Sequence, residues 1–234
     1  DMLAPHRASG KLRVLYRSRI ARAERSGRRI EAVEVVHLER GALTRLEGTY
    51  FIDATELGDP LAVCKVAHVI GAESREQTGE PHARQDGPHP ECVQSYTYPF
   101  ALRLQREPAE PIRRPAGYEQ NRQKQPYTLK HLYHDKRGWV RYGVFEQVEG
   151  SYGPFWTYRR LIDAANFEDP AYSEDVAMIN WPGNDFRGGS LLADSPDDVL
   201  QSLREAKLLA LGFCRWLQTE APRDDGGQGH PNMI

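Results

Sequence analysis

The feature that most constrains the fold of this chain is a helical repeat near its C-terminal end. Apolar side chains recur every three or four residues between Ser195 and Leu217, which places them along one stripe of an α-helix. Ser195 is a favoured N-cap, Pro196 suits the first helical position, and the two aspartates that follow complement the helix dipole. The stripe consists of Val199, Leu203, Ala206, Leu209, Ala210, Phe213 and Leu217. The sequence therefore predicts one long amphipathic helix over 195–217.

Patterns typical of short strands fill most of the remaining chain. Apolar runs predict an antiparallel meander of strands at 11–17, 30–38 and 42–46. Further strands are predicted at 50–55, 92–105, 139–148, 155–162 and 174–181, with a helical segment at 61–68. Together with the long helix, these elements predict an α+β fold with mixed or antiparallel sheets.

Two polar stretches separate the predicted elements. Residues 71–90 are rich in Gly, Pro and His, and a loop of that length inside a compact domain is usually functional or disordered. Residues 106–136 are polar and contain scattered prolines, so we expect an excursion with at most one short helix there.

Charge and cysteine content argue against several classes of function. Basic residues number 31 and acidic residues 33, and a net charge of −2 provides no electrostatic attraction to nucleic acid or to an anionic membrane. No apolar run approaches the ~20 residues that a membrane span needs. Cys64, Cys92 and Cys214 form no CxxC pair, which argues against a disulfide framework or a zinc site and favours a cytoplasmic location. His131 and His134 have no third ligand nearby, so no metal site is expected.

Common phosphate-binding and hydrolytic motifs are absent from the sequence. It contains no G-x-G-x-x-G, no G-x-x-x-x-G-K-[ST], no H-E-x-x-H and no G-x-S-x-G. The sequence therefore does not encode a glycine loop that holds phosphate at the start of a helix.

Four segments, taken in order, resemble one family. They are FIDATELGD at 51–59, GAESR at 71–75 with TGEPH at 78–82, NWPGNDF at 180–186, and WLQTEAPRDDG at 216–226. In this order they resemble the bacterial FAD-dependent oxidoreductases of the glutathione-reductase-like flavoprotein superfamily, in a subgroup often labelled xanthan lyase. The resemblance extends over nearly the whole chain, and it implies FAD as the cofactor and a small molecule as the substrate.

The family pattern also has parts that are not recognisable in this sequence. One is the N-terminal strand, glycine loop and helix that bind the FAD pyrophosphate, and another is a C-terminal segment that closes the flavin site. The chain also begins with Asp1 rather than Met. We therefore expect an internal portion of a larger flavoprotein, with a complementing chain that carries the glycine motif as a further partner.

The resemblance also implies a division of the chain into three parts. We expect the meander and a returning strand of the FAD-binding domain at 1–70, a substrate-side sheet domain with long polar loops at 71–194, and a helix and loop returning toward the cofactor domain at 195–234.

The resemblance places the segment that follows the 50–55 strand beside the cofactor. Ala54 and Thr55 are small, and a strand end exposes backbone donors that Thr55, Glu56 and Asp59 could supplement. The same residues also suit a strand-to-helix turn that Asp59 helps to cap.

Candidate catalytic and substrate-binding residues lie further along the chain. Glu73 and His82 in the 71–90 loop could supply an acid and a base, or belong to a solvated loop. An arginine of the pair at 159–160 should face inward and need an anionic partner, and Arg159 is the candidate substrate ligand. Arg223 could bind a substrate anion or pair with the neighbouring aspartates.

The turn at 180–186 combines an indole with several amides. Asn180, Trp181, Asn184 and Asp185 could contact a polyol or sugar, because aromatic faces pack on C–H surfaces and amides bond hydroxyls. A Pro-Gly turn stabilised by Asn and Asp hydrogen bonds explains the same residues without a ligand.

Three functions remain open from the sequence. The chain is the substrate-side portion of an FAD-dependent oxidoreductase that takes a hydride from a small organic substrate such as a sugar or polyol, or a module that binds a small molecule without flavin, or an interaction piece that needs a complementing chain. The sequence leaves open whether the chain alone is active.

Overall fold

The computed structural model describes residues 2–192 and 195–234. The chain forms two compact units, an N-terminal unit that ends at Cys92 and a C-terminal unit, Val93–Ile234. The division predicted at 194/195 touches residues 193 and 194, which lie outside the described residues.

The N-terminal unit is built on a three-stranded antiparallel meander. After a short helix α1 (Ala4–Ala8), the strands are β1 (Ser18–Ser26), β2 (Arg29–His37) and β3 (Leu43–Glu47), in the order β1-β2-β3. The predicted meander and its second and third strands are confirmed. The predicted strand at 11–17 is wrong, because the left-handed Gly27 (φ 58°) sets the hairpin turn and the pairing extends back from it only to Ser18.

The remainder of the N-terminal unit is mostly irregular. The predicted strand at 50–55 is wrong: the segment pairs with no strand among the described residues, and Tyr50 and Ile52 are 87% and 92% exposed. Helix α2 (Asp59–Val63) ends before the predicted 68, because Lys65 takes a left-handed conformation (φ 50°). The 71–90 loop is ordered around a one-turn helix α3 (Arg75–Thr78), which Ser74 and Gln77 start with a capping box.

The strands of the C-terminal unit form three small antiparallel sheets. The first pairs β4 (Tyr96–Thr97) with β10 (Asp185–Phe186), and the second pairs β6 (Lys130–Leu132) with β7 (Trp139–Arg141). The third has the order β5-β9-β8, with β5 at Phe100–Leu104, β8 at Arg160–Ile162 and β9 at Asp175–Ile179. The predicted strand at 174–181 is confirmed, whereas the one at 92–105 divides into β4 and β5 and the one at 139–148 ends at Arg141.

Three helices complete this unit: α4 (Tyr118–Lys124), α5 (Phe155–Tyr158) and α6 (Pro196–Thr219). The predicted long helix is confirmed in α6, and the Ser195 hydroxyl accepts a hydrogen bond from the Asp198 backbone amide as an N-cap does. The first half of the predicted strand at 155–162 is wrong. Phe155 and Trp156 are both buried although they are adjacent, which a one-turn helix permits and a half-exposed strand does not. No described helix is both long and apolar enough to cross a bilayer.

The hydrophobic core of the C-terminal unit is dominated by aromatic side chains. Trp156 and Phe213 are almost fully buried, Phe213 stacks on Trp216 with ring centroids 5.4 Å apart, and Phe155 meets the edge of Trp181 at 5.3 Å. Helix α6 contributes the C-terminal part of its apolar stripe to this core, through Ala206, Leu209, Phe213 and Leu217. These contacts position the turn at 180–186 and the loops beside it.

Candidate functional site

The turn at 53–59 is closed by its own side chains. The Asp53 carboxylate accepts hydrogen bonds from the Thr55 backbone amide (2.9 Å) and hydroxyl (2.8 Å), and the Thr55 hydroxyl accepts one from the Asp59 amide (3.0 Å). Asp59 also pairs with Arg19 at 2.8 Å. Ala54 and Glu56 are exposed, with no hydrogen bond to another described residue. The predicted cofactor residues therefore share one ordered turn whose polar side chains are largely engaged with each other.

Glu73 and His82 are exposed on the 71–90 loop. The loop is held by the capping box at Ser74 and by paired backbone hydrogen bonds between Ala72 and His89 (3.0 and 2.8 Å). Neither predicted catalytic side chain forms a hydrogen bond or ion pair within the described chain. The loop presents both groups to solvent.

The turn at 180–186 is part of the buried frame of the C-terminal unit. Trp181 is 3% exposed, and its indole N–H donates to the Thr128 carbonyl at 2.8 Å. Asn184 is fully buried, its Oδ1 accepts from the Trp181 amide at 3.1 Å, and its Nδ2 has no hydrogen-bond partner among the described residues. The Thr97 hydroxyl bonds both Asn180 (3.0 Å) and Asp185. This geometry favours the turn-stabilising interpretation of the four residues over direct sugar contact.

The two arginines at 159–160 have different environments. Arg160 faces inward and pairs with Asp163 (2.6 Å) and Asp175 (3.0 Å), so it is the arginine with the expected anionic partner. Arg159 is exposed and lies over the Tyr158 ring at 5.2 Å. It remains available to a ligand, whereas Arg160 is committed to the protein.

The charged side chains of the 223–225 segment have two different roles. Arg223 pairs with Asp225 at 2.6 Å on the surface. Asp224 instead accepts three backbone hydrogen bonds, from the amides of Val144 (2.8 Å), Phe145 (2.7 Å) and Glu146 (3.2 Å). Asp224 therefore holds the 144–146 loop, which is distant in sequence but adjacent in space. The sequence does not predict this role.

His230 is a buried titratable group that the sequence analysis missed. It is 5% exposed, lines a cleft of about 420 Å³ with Arg106 and Arg223, and its Nε2 atom has no partner among the described residues. Burial lowers the pKa of His230, Arg223 lowers it further, and the Pro222 carbonyl opposes the shift. A lone His between Gly and Pro carries no sequence signal of burial.

A large cleft of about 1080 Å³ in the C-terminal unit was likewise not predicted from the sequence. It is bounded by α4, the start of β6, the 182–188 segment and α6. Lys124, Lys130 and Arg187 lie along it with a single carboxylate, Glu205, and Trp139 contributes an indole that is 66% exposed. Its residues come from segments far apart in sequence, so no local sequence motif predicts this cleft.

An α+β chain with small antiparallel sheets, a long packed helix and an open ligand-sized cleft is compatible with many binding and catalytic proteins. Comparison with protein families narrows the class, because the family model described as FAD dependent oxidoreductase matches residues 1–233. The chain belongs to this family, and FAD is the family's cofactor. No curated protein and no solved structure matched the chain.

The described residues do not form a cradle for the FAD pyrophosphate. Such a cradle needs backbone N–H groups in a glycine loop that leads into a helix. Left-handed glycines precede two short helices, Gly58 (φ 66°) before α2 and Gly117 (φ 73°) before α4. These helices have only five and seven residues, and the Asp53 carboxylate lies in the turn before α2. A negative carboxylate there opposes a pyrophosphate, so these residues fit a contact at the edge of the cofactor and not its phosphate site.

Proposed function

We propose that the chain is the substrate-side portion of an FAD-dependent oxidoreductase that takes a hydride from a small hydroxylated organic molecule. The observation that carries the proposal is the family match over 1–233. The flavin would supply the redox chemistry, and the protein would bind and orient the substrate. The order of the four resembling segments supports assignment to the subgroup often labelled xanthan lyase, and the buried thiols of Cys64 and Cys214 are consistent with a cytoplasmic location.

In this proposal the turn at 53–59 lies at the edge of the cofactor. Ala54 and Glu56 offer main-chain groups with no partner in the described chain, while Thr55 and Asp59 hold the turn in shape. The Asp53 carboxylate would suit a ribose or ribityl hydroxyl, which donates a hydrogen bond, better than a phosphate.

On the substrate side, the residues differ in the role that we propose. Asn180, Trp181, Asn184 and Asp185 shape the wall of the large cleft from behind, since Pro182 and Gly183 line it. Arg159 and Arg223, which are exposed, remain candidate ligands for the substrate. Glu73 and His82, which are exposed on the 71–90 loop, remain candidate proton-transfer groups.

A second candidate function is that of an interaction piece that requires a complementing polypeptide. The sequence lacks the glycine loop, and the N-terminal unit exposes Tyr50, Ile52 and Val69 almost as fully as an unfolded chain would. Exposed apolar side chains of this kind are typical of surfaces that another polypeptide covers.

The test is flavin reduction in an assembled protein. The chain would be co-expressed with a polypeptide that carries a strand, glycine loop and helix of the FAD-binding type, and the yellow complex would be mixed anaerobically with sugars, polyols and sugar acids. Bleaching of the flavin absorbance by one of them, with no bleaching by its 1-deoxy analogue, is expected. A flavin-loaded complex that no hydroxylated substrate reduces would contradict the proposed reaction.

A further inference from the structure

The large cleft carries an excess of positive charge that the protein itself does not neutralise. Lys124 at the end of α4, Lys130 in β6 and Arg187 after β10 lie along it, and Glu205 of α6 is the one carboxylate among its described lining residues. None of the three cations forms a salt bridge with another residue of 2–192 or 195–234. In a chain with net charge −2, three converging unpaired cations form a local positive field.

The walls of the cleft are fixed against each other before any ligand arrives. The Gln125 side-chain amide donates to the carbonyls of Gly183 (3.3 Å) and Asp185 (2.7 Å), which ties the α4–β6 connection to the 182–186 segment. At Gly183 an added Cβ would lie 2.8 Å from the Thr128 carbonyl oxygen, so only glycine permits this approach. The cations are therefore mounted on a preorganised frame, which lowers the entropic cost of binding.

The lining also offers an apolar contact beside the charges. Trp139 exposes most of its indole, and Leu132 is 38% exposed. An indole packs against the C–H face of a small organic ring or chain, while ammonium and guanidinium groups bind carboxylate or phosphate oxygens. A cleft of about 1080 Å³ is large enough for such a ligand with room to spare.

We propose that this cleft binds a small organic anion, with Lys124, Lys130 and Arg187 holding its negatively charged oxygens and Trp139 its carbon framework. This inference rests on the proposed function, which makes the bound molecule a substrate, and it narrows the substrate class. The molecule oxidised is an acid such as a uronic or aldonic acid, not a neutral sugar. The same oxygens could belong to the phosphates of the flavin cofactor, and the test separates these two sources.

The experiment measures binding calorimetrically without flavin, so that its outcome is independent of whether the chain holds FAD. D-Glucuronate is titrated into the protein at low ionic strength, with D-glucose as the neutral counterpart, and ADP and inorganic phosphate as probes of a nucleotide source. Glucuronate should bind at least about tenfold more tightly than glucose, and added salt should weaken the binding.

Variants then locate the site. Lys130→Gln and Arg187→Gln should each weaken glucuronate binding by about tenfold, whereas Lys207→Gln, an equal loss of charge on the exposed face of α6, should change it less than about twofold. Glucuronate binding no tighter than glucose binding, or equal effects of Lys130→Gln and Lys207→Gln, would overturn the proposal. Binding of ADP that Arg187→Gln weakens, without glucuronate binding, would also overturn it by assigning the cleft to the nucleotide.

Discussion

Different interactions stabilise the C-terminal unit and the N-terminal unit. In the C-terminal unit, a continuous cluster of buried side chains includes Trp156, Trp181 and Phe213, and α6 packs along it. In the described part of the N-terminal unit, only Ala32 and Cys64 are buried apolar residues. There the strands are joined by backbone pairing and by exposed ion pairs such as Arg45–Glu24.

This difference teaches where the free energy of folding resides. Burial of apolar surface is the dominant favourable contribution, whereas exposed ion pairs contribute little and are screened by salt. The C-terminal unit therefore gains more free energy of folding from burial than the N-terminal unit, in whose described part few apolar side chains are buried. The two clefts described above both lie in the unit that has this core.

The largest expected difference between the two units is in the free energy of unfolding that is lost when one aromatic side chain is removed from each. Phe213→Ala should lower the free energy of unfolding by about 3–5 kcal/mol, because it leaves a cavity in a fully packed core. Tyr50→Ala, in the N-terminal unit, should change it by less than about 0.5 kcal/mol, since that side chain is already in solvent. Chemical denaturation of the two variants measures both effects, and similar losses would refute the asymmetry.

A second test separates two neighbouring aspartates. Asp224→Asn should cost about 2 kcal/mol of stability, because three backbone amides lose their charged acceptor and the new NH₂ group faces donors. Asp225→Asn is the matched control and should have a much smaller effect, since its pair with Arg223 is exposed. Equal effects in thermal unfolding would show that Asp224 does not anchor the 144–146 loop.

His230 predicts a pH dependence confined to the C-terminal unit. Its pKa in the folded protein lies below the ordinary value of 6.5, so on acidification the unfolded chain binds a proton first and the folded state loses stability. That loss begins as the pH falls through the unfolded pKa and stops below the folded one. His230→Gln should therefore flatten the curve of unfolding free energy between about pH 7.5 and about pH 5.

The control for this prediction is His134→Gln, which alters an exposed histidine. It should leave the slope of stability against pH close to that of the unaltered protein. If both variants flatten the curve equally, burial of His230 is not the cause.

The smallest expected difference between the two units is in the reactivity of their cysteine thiols, which can be measured without altering the fold. Cys92 is exposed and should react with a thiol reagent at once, while Cys64 and Cys214 are buried. Burial raises the pKa of Cys214 to about 11, so this thiol should be the last to react. In a denaturant series, Cys64 of the N-terminal unit should become reactive at lower denaturant than Cys214, and identical midpoints would indicate a single cooperative unit.

Local signals in the sequence predicted the elements that depend on local physics. Helix α6 was predictable because its cap, its first-turn aspartates and its apolar stripe all agree. The meander was predictable because Gly27 marks the turn, although the pairing that ends at Ser18 was not. The strand predicted at 50–55 and the first half of the strand predicted at 155–162 are wrong, because an apolar run indicates burial but not whether a strand or a helix provides it.

The candidate sites were harder to predict because they depend on contacts between distant residues. The motif at 180–186 was found, but its Trp181 and Asn184 serve mainly as buried frame, which only the contacts with Thr128 reveal. Lys124, Lys130 and Arg187 share no motif, and three-dimensional packing alone brings them to one cleft. The sequence does not distinguish Asp224 from its neighbour Asp225, because the loop that Asp224 holds is distant in sequence.

The most direct test of the central claim is FAD retention by the purified 234-residue chain. The protein would be incubated with excess FAD, desalted, and examined by visible absorption together with intact mass. We expect a colourless protein when the chain is alone and a yellow complex of two polypeptides when a glycine-loop segment is supplied. Stoichiometric flavin on the single chain would contradict it, because the described residues would then hold the pyrophosphate without a glycine cradle.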